Sequence, residues 1–261
     1  MTPTRRGFAL GAVTAIAALV LSGCSGSSPP TAPGPGVGQP LDAKLPVSVL
    51  QAPLVSSSGH WFNLGSLNKV IVLSDMMTLC QESCPLDTAN VVAAARAVDR
   101  AGLADRVEFV SLTIDPARDT RAQLAAYRAL YEPAPPNWTV ATAPPDVLRR
   151  IWNTLGVYIQ KTRDKPPLPK NWRTGAPLTY DLTHSDDVFF INAAGHERFV
   201  LDGIPHVAAG APVPRAIARY MNDTGHENLK HPSPHAWTLS DELQVLSWLT
   251  GKALPAPSPS G

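Results

Sequence analysis

Two cysteines at a strand-to-helix turn constrain this chain more than any other feature. Cys80 and Cys84 are separated by three residues and follow the apolar run 70–73, and Pro85 comes directly after the second cysteine. Residues 86–102 are rich in alanine and valine and end in glycine, which predicts a helix. Unpartnered backbone N–H groups at a helix start favour anionic sulfur. The pattern therefore predicts an α/β fold whose two thiols do redox chemistry or bind a soft metal.

The N-terminal segment is typical of an export signal. An arginine pair precedes an uncharged and mostly apolar stretch, residues 7–23, which is slightly short for a membrane-spanning helix. The paired arginines also fit a twin-arginine signal. Residues 21–24, Leu-Ser-Gly-Cys, resemble a bacterial lipoprotein cleavage box. We therefore predict a signal peptide over 1–23 and a lipidated Cys24 as the first mature residue, the alternative being a plain signal peptide with a chance cysteine.

Composition indicates how the rest of the chain is divided. Gly, Pro and Ser dominate residues 25–40, so we predict a flexible tether over 24–44, and the proline-rich end predicts a disordered tail over 251–261. Between them we expect one domain over 45–225 and a C-terminal extension with a helix over 226–250. The 22 basic residues nearly balance the 21 acidic ones. With no basic stripe visible, we expect no nucleic-acid partner.

The number of cysteines favours a functional pair. If Cys24 carries a lipid, Cys80 and Cys84 are the cysteines that remain in an exported protein, where disulfides persist. A disulfide across so short a loop constrains the unfolded chain little and is a weak structural device. An inert disulfide is the alternative to a redox-active or metal-binding pair.

The order of the other elements predicts a thioredoxin-like fold. Segments 54–58 and 60–64 flank Gly59 like a hairpin, and 107–114 has the apolar content of a central strand. Further predicted strands lie at 138–141, 187–191 and 197–201, and further helices lie after a cap at Asp119 or Thr120, at 145–155, near 214–221 and at 240–250. This order predicts a central mixed β-sheet flanked by helices, with an N-terminal hairpin.

Three stretches match the motifs of one family in the correct order. Residues 78–85 are similar to a Cys-x-x-x-Cys-Pro motif, residues 112–120 to a Val-Asp-Pro-x-Arg-Asp-Thr signature, and residues 183–185 to a His-Ser segment before the last hairpin. On these stretches the chain resembles the Sco/SenC family, bacterial and mitochondrial copper proteins of cytochrome oxidase assembly. The resemblance extends over about residues 50–222.

The resemblance implies a copper site and a carrier function. The family's copper ligands correspond to Cys80, Cys84 and His184; two thiolates and one imidazole suit copper, although zinc accepts the same donors. Without the resemblance, His184 would be interpreted as a surface-loop histidine far from the thiols. The implied function is that of a lipid-anchored carrier on the extracytoplasmic face of the cell membrane. It would deliver copper to the dinuclear copper site of cytochrome c oxidase, and the oxidase subunit with that site would be its partner.

Enzymatic alternatives use the same thiols. An extracytoplasmic thiol–disulfide oxidoreductase would use Cys80 and Cys84 as its catalytic redox pair to reduce partner cysteines. Thioredoxin-type reductases usually have two residues between the cysteines, and the three found here favour the carrier. A peroxidase of the same fold needs one activated cysteine with a nearby threonine and arginine. Thr78 fits that threonine, but the motif contains no arginine.

Four departures from the family pattern leave the three ligands intact. Gln81 stands where a proline is usual, residues 74–77 replace an aromatic and glycine run, and Thr183 stands where an acidic residue commonly precedes the histidine. The proline-rich residues 161–182 look like an insertion beside His184. We expect these changes to affect metal affinity and partner specificity.

Two further groups suggest metal binding but have simpler explanations. Met76 and Met77 offer thioether sulfurs close to the motif, yet we expect them to fill gaps in the core or at a partner surface. His226, His231 and His235 recur at short spacing, but they lie next to a Pro-Ser-Pro segment, which predicts solvated loop histidines.

Overall fold

A mixed sheet lies at the centre of the protein. The computed structural model describes residues 1–2, 30–207 and 213–254, and these residues form ten strands. In chain order the strands are β1 (Gln39–Lys44), β2 (Leu54–Ser56), β3 (Trp61–Phe62), β4 (Val70–Met76), β5 (Val107–Thr113), β6 (Trp138–Thr142), β7 (Ile159–Arg163), β8 (Tyr180–His184), β9 (Asp187–Ile191) and β10 (His196–Asp202). Eight of them form one sheet in the order β1-β10-β9-β4-β5-β6-β2-β3, whereas β7 and β8 form a separate two-stranded ribbon.

The direction of the strands makes this sheet mixed. Strand β4 is parallel to β5 and β5 is parallel to β6, while β9 runs antiparallel to β4. Parallel neighbours need helical crossovers, which here are α2 and α3, while the antiparallel pairs β2–β3 and β9–β10 are hairpins. The central mixed sheet and the N-terminal hairpin are therefore as predicted.

Helices cover both faces of the sheet. They are α1 (Val47–Leu50), α2 (Cys84–Arg100), α3 (Arg121–Ala129), α4 (Pro145–Leu155), α5 (Arg215–Tyr220), α6 (Asp223–Lys230) and α7 (Leu239–Thr250), with a 3-10 turn at Leu64–Leu67. Along β4, Val70, Val72 and Met76 face the core shared with α2, α3 and α7. Ile71 and Leu73 face the opposite core with α1 and α4. This sandwich of helices on a mixed sheet is a thioredoxin-like fold.

Local chemistry explains where several elements begin and end. The side chain of Thr120 accepts a hydrogen bond from the backbone N–H of Gln123 and thereby caps α3. Helix α4 ends at Gly156, whose φ of 80° is a left-handed conformation that glycine adopts without strain. The predicted helix at 145–155 is found with those bounds.

Three elements differ from the sequence-based expectation. The predicted tether was expected to reach residue 44, but Gln39–Lys44 forms β1 on the edge of the sheet beside β10. No strand is predicted within residues 161–182, but the two ends of this insertion form parts of both strands of the β7–β8 ribbon. Helix α6 lies in a segment rich in polar residues, where hydrophobic periodicity gives a weak signal.

Other predictions fall outside the described residues. The signal peptide, Cys24 and most of the tether belong to residues 3–29, and the end of the predicted tail belongs to 255–261. Within the part of the chain that the structure describes, no helix has the length and apolar character needed to cross a membrane.

Candidate metal centre

The cysteine motif occupies the turn between β4 and α2. Strand β4 ends at Met76, and Cys84 is the first residue of α2, with Pro85 in the first helical turn, where its missing N–H costs no hydrogen bond. Cys80 lies in the preceding loop, where its sulfur accepts a hydrogen bond from the backbone N–H of Glu82 at 3.4 Å. Both cysteines are free thiols and both are buried. The predicted strand, turn and helix are therefore present.

His184 reaches this turn because of the sheet topology. It is the last residue of β8 and pairs with Ile159 of β7, so it lies at the end of a strand instead of in the loop that the sequence suggested. The next strand, β9, pairs with β4, and Val188 is opposite Ser74 near the end of β4. Since the two strands are antiparallel, the residues just before β9 are placed beside the cysteine turn.

The three predicted ligand side chains come together. One ligand atom from each of Cys80, Cys84 and His184 lies within 4.8 Å of the other two, and Nε2 of His184 is 3.3 Å from Sγ of Cys84. Cys84 is fully buried, and the His184 side chain is 4 % exposed. Two sulfurs and one imidazole nitrogen form a soft donor set that suits copper and is also accepted by zinc.

A buried carboxylate lies behind the imidazole. Oδ2 of Asp75 is 2.7 Å from Nδ1 of His184, and Oδ1 of Asp75 accepts the backbone N–H of Asp187 at 2.9 Å. Nδ1 also contacts the carbonyl oxygen of Ser185. With acceptors on the Nδ1 side, the Nε2 side of the ring faces the thiols.

The electrostatics of the site separate the two thiols. A hydrogen bond from Cys84 lowers the pKa of Cys80 well below its usual range, even though burial opposes the charge, and His184 adds to this effect. Burial and the neighbouring Cys80 sulfur raise the pKa of Cys84. Burial also disfavours a charged His184, but Asp75 and Cys80 raise its pKa to about 12. Cys80 is therefore the more acidic of the two thiols, and metal binding releases the protons that the three ligand groups still carry.

The signature at residues 112–120 holds the start of the cysteine loop. The buried carboxylate of Asp119 accepts hydrogen bonds from the backbone N–H of Thr78 at 3.2 Å and from its hydroxyl at 2.5 Å. It also accepts the hydroxyl of Thr113 at 2.6 Å. Because the Thr78 hydroxyl bonds to Asp119, this geometry gives the peroxidase alternative no support.

The same signature anchors the strand that ends in His184. Arg118 forms an ion pair with Asp115 and donates a hydrogen bond to the carbonyl of Tyr180, the first residue of β8, at 2.5 Å. The Tyr180 hydroxyl in turn donates to Asp115 at 2.8 Å. One segment therefore positions both the thiols and the histidine.

The C-terminal helices and the insertion hold the cysteine loop from two further sides. Gln81 donates to the carbonyl of Tyr220 at 2.6 Å, and Asn222 donates to Glu82 at 2.8 Å. Gly225 approaches the Gln81 carbonyl so closely that a Cβ atom would overlap it. From the insertion, Trp172 donates its indole N–H to the carbonyl of Thr78 at 2.8 Å. The family departure at Gln81 thus supplies a hydrogen bond that a proline cannot make.

The other candidate ligands lie elsewhere. Met76 and Met77 are buried among apolar residues of the two cores, as expected for gap-filling side chains. His226, His231 and His235 do not form a group with metal-binding geometry; among the described residues, Cys80, Cys84 and His184 form the one group found.

Sequence reasoning missed Asp75 as a functional candidate. The available signal was an acidic residue inside the otherwise largely apolar strand 70–76, immediately before the cysteine motif. A carboxylate in a central strand must have a partner, because burying it alone is costly. That argument predicts a partner for Asp75 but does not identify His184.

Comparison with known proteins gives a family and a fold. A sequence model described as SCO1/SenC matches residues 54–222. No curated protein sequence matches the chain significantly.

Solved structures resemble the chain at low sequence identity. A protein from Aquifex aeolicus VF5 with a known crystal structure is 20 % identical in sequence, with a TM-score of 0.50, and the match covers 63 % of this chain and 85 % of that one. A SCO1/SenC family lipoprotein from Bacillus anthracis is 23 % identical, with a TM-score of 0.49, and the match covers 70 % of this chain and 95 % of that one. Arabidopsis thaliana ScoI, whose structure was solved with copper bound, is 20 % identical, with a TM-score of 0.44, and the match covers 70 % of this chain and 94 % of that one. The likeness to the Aquifex protein, at 20 % identity and a TM-score of 0.50, is one of fold.

Proposed function

Because the chain belongs to the SCO1/SenC family, we propose that it is a lipid-anchored copper carrier on the extracytoplasmic face of the cell membrane. In this function it delivers copper to the dinuclear copper site of cytochrome c oxidase during assembly. The observation that carries the proposal is the buried group of Cys80, Cys84 and His184, whose ligand atoms lie within 4.8 Å of one another. Copper is here the cargo of the protein.

The donor set and its surroundings support a carrier. Three soft donors leave a coordination position open, through which a partner's ligand can reach the metal during transfer. The site is nevertheless well ordered, since Asp119 holds the loop before Cys80 and Asn222 contacts the loop after it. Preformed ligands lower the ordering cost of metal binding, which supports a site that takes up copper repeatedly.

The sequence supports the proposed location on the membrane. The lipoprotein box ending in Cys24 and the Gly/Pro/Ser-rich residues 25–40 support a lipid anchor followed by a tether. A tether of this composition gives the domain lateral reach above the membrane surface. This arrangement would bring the carrier to a membrane-embedded oxidase.

A thiol–disulfide oxidoreductase remains the second candidate because the two thiols have unequal acidity. Cys84 lowers the pKa of Cys80, so Cys80 is the thiolate that attacks a partner disulfide. Cys84 then attacks the mixed disulfide, which releases the reduced partner and leaves Cys80 and Cys84 joined. The same pair would reduce the cysteines of a copper site before metal delivery.

Copper binding and oxidase assembly together test the carrier. The reduced protein should bind one Cu(I) per chain in an anaerobic titration, and Cys80→Ser and Cys84→Ser should each abolish tight binding. In a bacterial strain from which the gene for this protein has been deleted, expression of the wild-type protein should restore the copper content of the oxidase, whereas expression of either serine variant should not. Wild-type protein that binds no copper would overturn the proposal.

A further inference from the structure

Asp75 occupies a strand position that the alternation of β4 assigns to the apolar core. Leu73 and Met77, two residues before and after it, belong to the core beneath that face. The Asp75 side chain has 0 % exposure, yet each of its oxygens has a specific partner. One oxygen bonds to the backbone of β9 at Asp187, and the other meets the imidazole of His184. The carboxylate is thus fixed on one side and aimed at the imidazole on the other.

We propose that Asp75 is a positioning residue for copper binding: it accepts the Nδ1–H of His184 and thereby directs the Nε2 lone pair toward Cys80 and Cys84. The proposal deepens the carrier function proposed above and rests on it. Asp75 does not touch the metal in this arrangement; it acts through the ring of His184.

Imidazole chemistry explains why such a residue matters. A histidine that binds a metal uses one ring nitrogen, and a hydrogen bond at the other nitrogen fixes the tautomer and the ring orientation. A carboxylate acceptor also makes the ligating nitrogen a stronger donor. The imidazole of His184 has this arrangement: Nδ1 lies 2.7 Å from Oδ2 of Asp75 on one side of the ring, and Nε2 lies 3.3 Å from Sγ of Cys84 on the other.

The topology makes Asp75 a direct link between the β7–β8 ribbon and the main sheet. His184 ends β8, which pairs with β7 in a ribbon outside the main sheet. Asp75 lies on β4, one residue before the strand ends and the cysteine loop begins. Its hydrogen bonds to His184 and Asp187 therefore tie the ribbon end to the strand that leads into the cysteine loop.

Two other acceptors near Nδ1 define the competing explanations. The Ser185 carbonyl contacts the same nitrogen, and Oδ1 of Asp186 lies 3.9 Å away, beyond hydrogen-bond distance. If the Ser185 carbonyl alone holds the ring, removing the Asp75 charge will have little effect. If nearby negative charge alone matters, neutralising Asp186 will have an effect of similar size.

Copper affinity measured in a mutant cycle tests the proposal. We would titrate the purified, reduced full-length chain with Cu(I) against a competing chelator, comparing wild type, Asp75→Asn, His184→Ala and the double variant, with Asp186→Asn as the matched control. Asp75→Asn should weaken binding by about 10- to 100-fold, and Asp186→Asn by less than about threefold. In the His184→Ala background Asp75→Asn should add less than about threefold, because its partner is gone.

A spectroscopic readout separates positioning from simple destabilisation. In ¹⁵N-histidine-labelled protein without metal, the Nδ1 proton of His184 should be protected from exchange in wild type and in Asp186→Asn. It should lose that protection in Asp75→Asn. Should Asp75→Asn fail to fold, Asp75→Ser serves in its place, because it removes the carboxylate and leaves a smaller polar side chain.

The outcomes are separable from those for the carrier function. Wild-type protein that binds no copper overturns the carrier. Two results would overturn the role of Asp75 and leave the carrier function intact. One is equal copper affinity of the wild type and Asp75→Asn; the other is a loss of affinity on Asp75→Asn that is equally large with His184 and with His184→Ala.

Discussion

Nε2 of His184 lies 3.3 Å from Sγ of Cys84, although 100 residues separate them in the chain. The contact depends on one antiparallel pairing, that of β9 with β4, which returns the chain to the end of the strand that leads into the cysteines. Two local elements, the strand-to-helix turn and the end of the β7–β8 ribbon, thus meet only in the complete sheet. The candidate metal site is consequently a product of the tertiary fold, and its integrity should follow the stability of the fold.

Replacing His184 should separate copper binding from thiol chemistry. His184→Ala removes one of three donors, so the affinity for Cu(I) should fall by at least about tenfold. Disulfide exchange needs only the thiols and a suitable thiolate fraction, and its rate should change less than the affinity. Anaerobic Cu(I) titration and the rate of exchange with a model disulfide provide the two measurements.

His226→Ala is the matched control, because His226 lies in α6 and outside the donor group. A carrier predicts that His184→Ala loses oxidase assembly while its thiols still react, whereas a reductase predicts near-normal assembly. A His184→Ala protein that binds copper and supports the oxidase as well as wild type does contradicts the carrier.

Copper uptake should depend on the oxidation state of Cys80 and Cys84. Both are free thiols, and their sulfur atoms lie within 4.8 Å of each other. A sulfur joined in a disulfide has lost the anionic lone pair that a metal needs. We expect the oxidised protein to bind no copper and to regain full binding after reduction. Titration of the same sample before and after reductant checks this, and equal uptake by the two forms would contradict it.

The local elements were predictable, because each rests on short-range chemistry. The cysteine turn follows from an apolar strand, a proline in the first helical turn and an alanine-rich helix, and the end of α4 follows from Gly156. The family motif assigned His184 to the site, whereas the residue by itself indicated only a surface histidine. Its position at a strand end is hard to predict because β8 is only five residues long and overlaps the proline-rich residues 161–182.

The residues that support the site were harder to predict, since their partners are distant in sequence. The sequence offers Asp119 or Thr120 as the cap of α3; Thr120 is the cap, and Asp119 binds Thr78, 41 residues earlier. Asp75 pairs with a histidine 109 residues away. A buried carboxylate predicts that a partner exists, but sequence patterns do not say which one.

Replacing Cys24 should test the anchor. If residues 21–24 are a lipoprotein box, Cys24→Ala abolishes acyl labelling and blocks or diverts maturation of the N-terminal segment. Metabolic labelling with a radioactive fatty acid and mass spectrometry of the mature N-terminus provide the measurements. Cys80→Ser should label like wild type, while unlabelled wild-type protein that retains its N-terminal segment would exclude the anchor.

Removing the Asp119 carboxylate should destabilise the fold around the cysteine loop. Asp119→Ala leaves three donors, the N–H and hydroxyl of Thr78 and the hydroxyl of Thr113, without their buried acceptor. The free energy of unfolding should fall by about 2–5 kcal/mol. Urea denaturation checks this, with Asp99→Ala at an exposed position of α2 as the control; equal stability of the two variants would contradict the prediction.

Glu242 should make the stability of the protein depend on pH. Its carboxyl group is fully buried in α7, and within the described residues neither oxygen has a hydrogen-bond partner. Burial raises the pKa of Glu242 from 4.5 to about 8. In the folded protein the group therefore stays neutral up to about that pH, whereas in the unfolded chain it ionises near its usual pKa.

The sign of the effect follows from the number of bound protons. Between the two pKa values the unfolded state holds fewer protons at this site than the folded state, so its contribution lowers the free energy of unfolding as pH rises. The loss begins near pH 4.5 and is complete above about pH 8, with a limiting slope of about 1.4 kcal/mol per pH unit. Glu242→Gln removes this slope while keeping the shape of the side chain. The variant should therefore gain stability relative to wild type as pH rises.

Urea denaturation of wild type and Glu242→Gln at about pH 5 and about pH 9 measures that gain directly. Glu227→Gln is the matched control, since Glu227 is exposed on α6 and its ionisation should differ little between the folded and unfolded states. The difference in unfolding free energy between Glu242→Gln and wild type should grow with pH, while that for Glu227→Gln stays constant. A constant difference for both variants would mean that Glu242 is already ionised in the folded protein and has found a compensating partner.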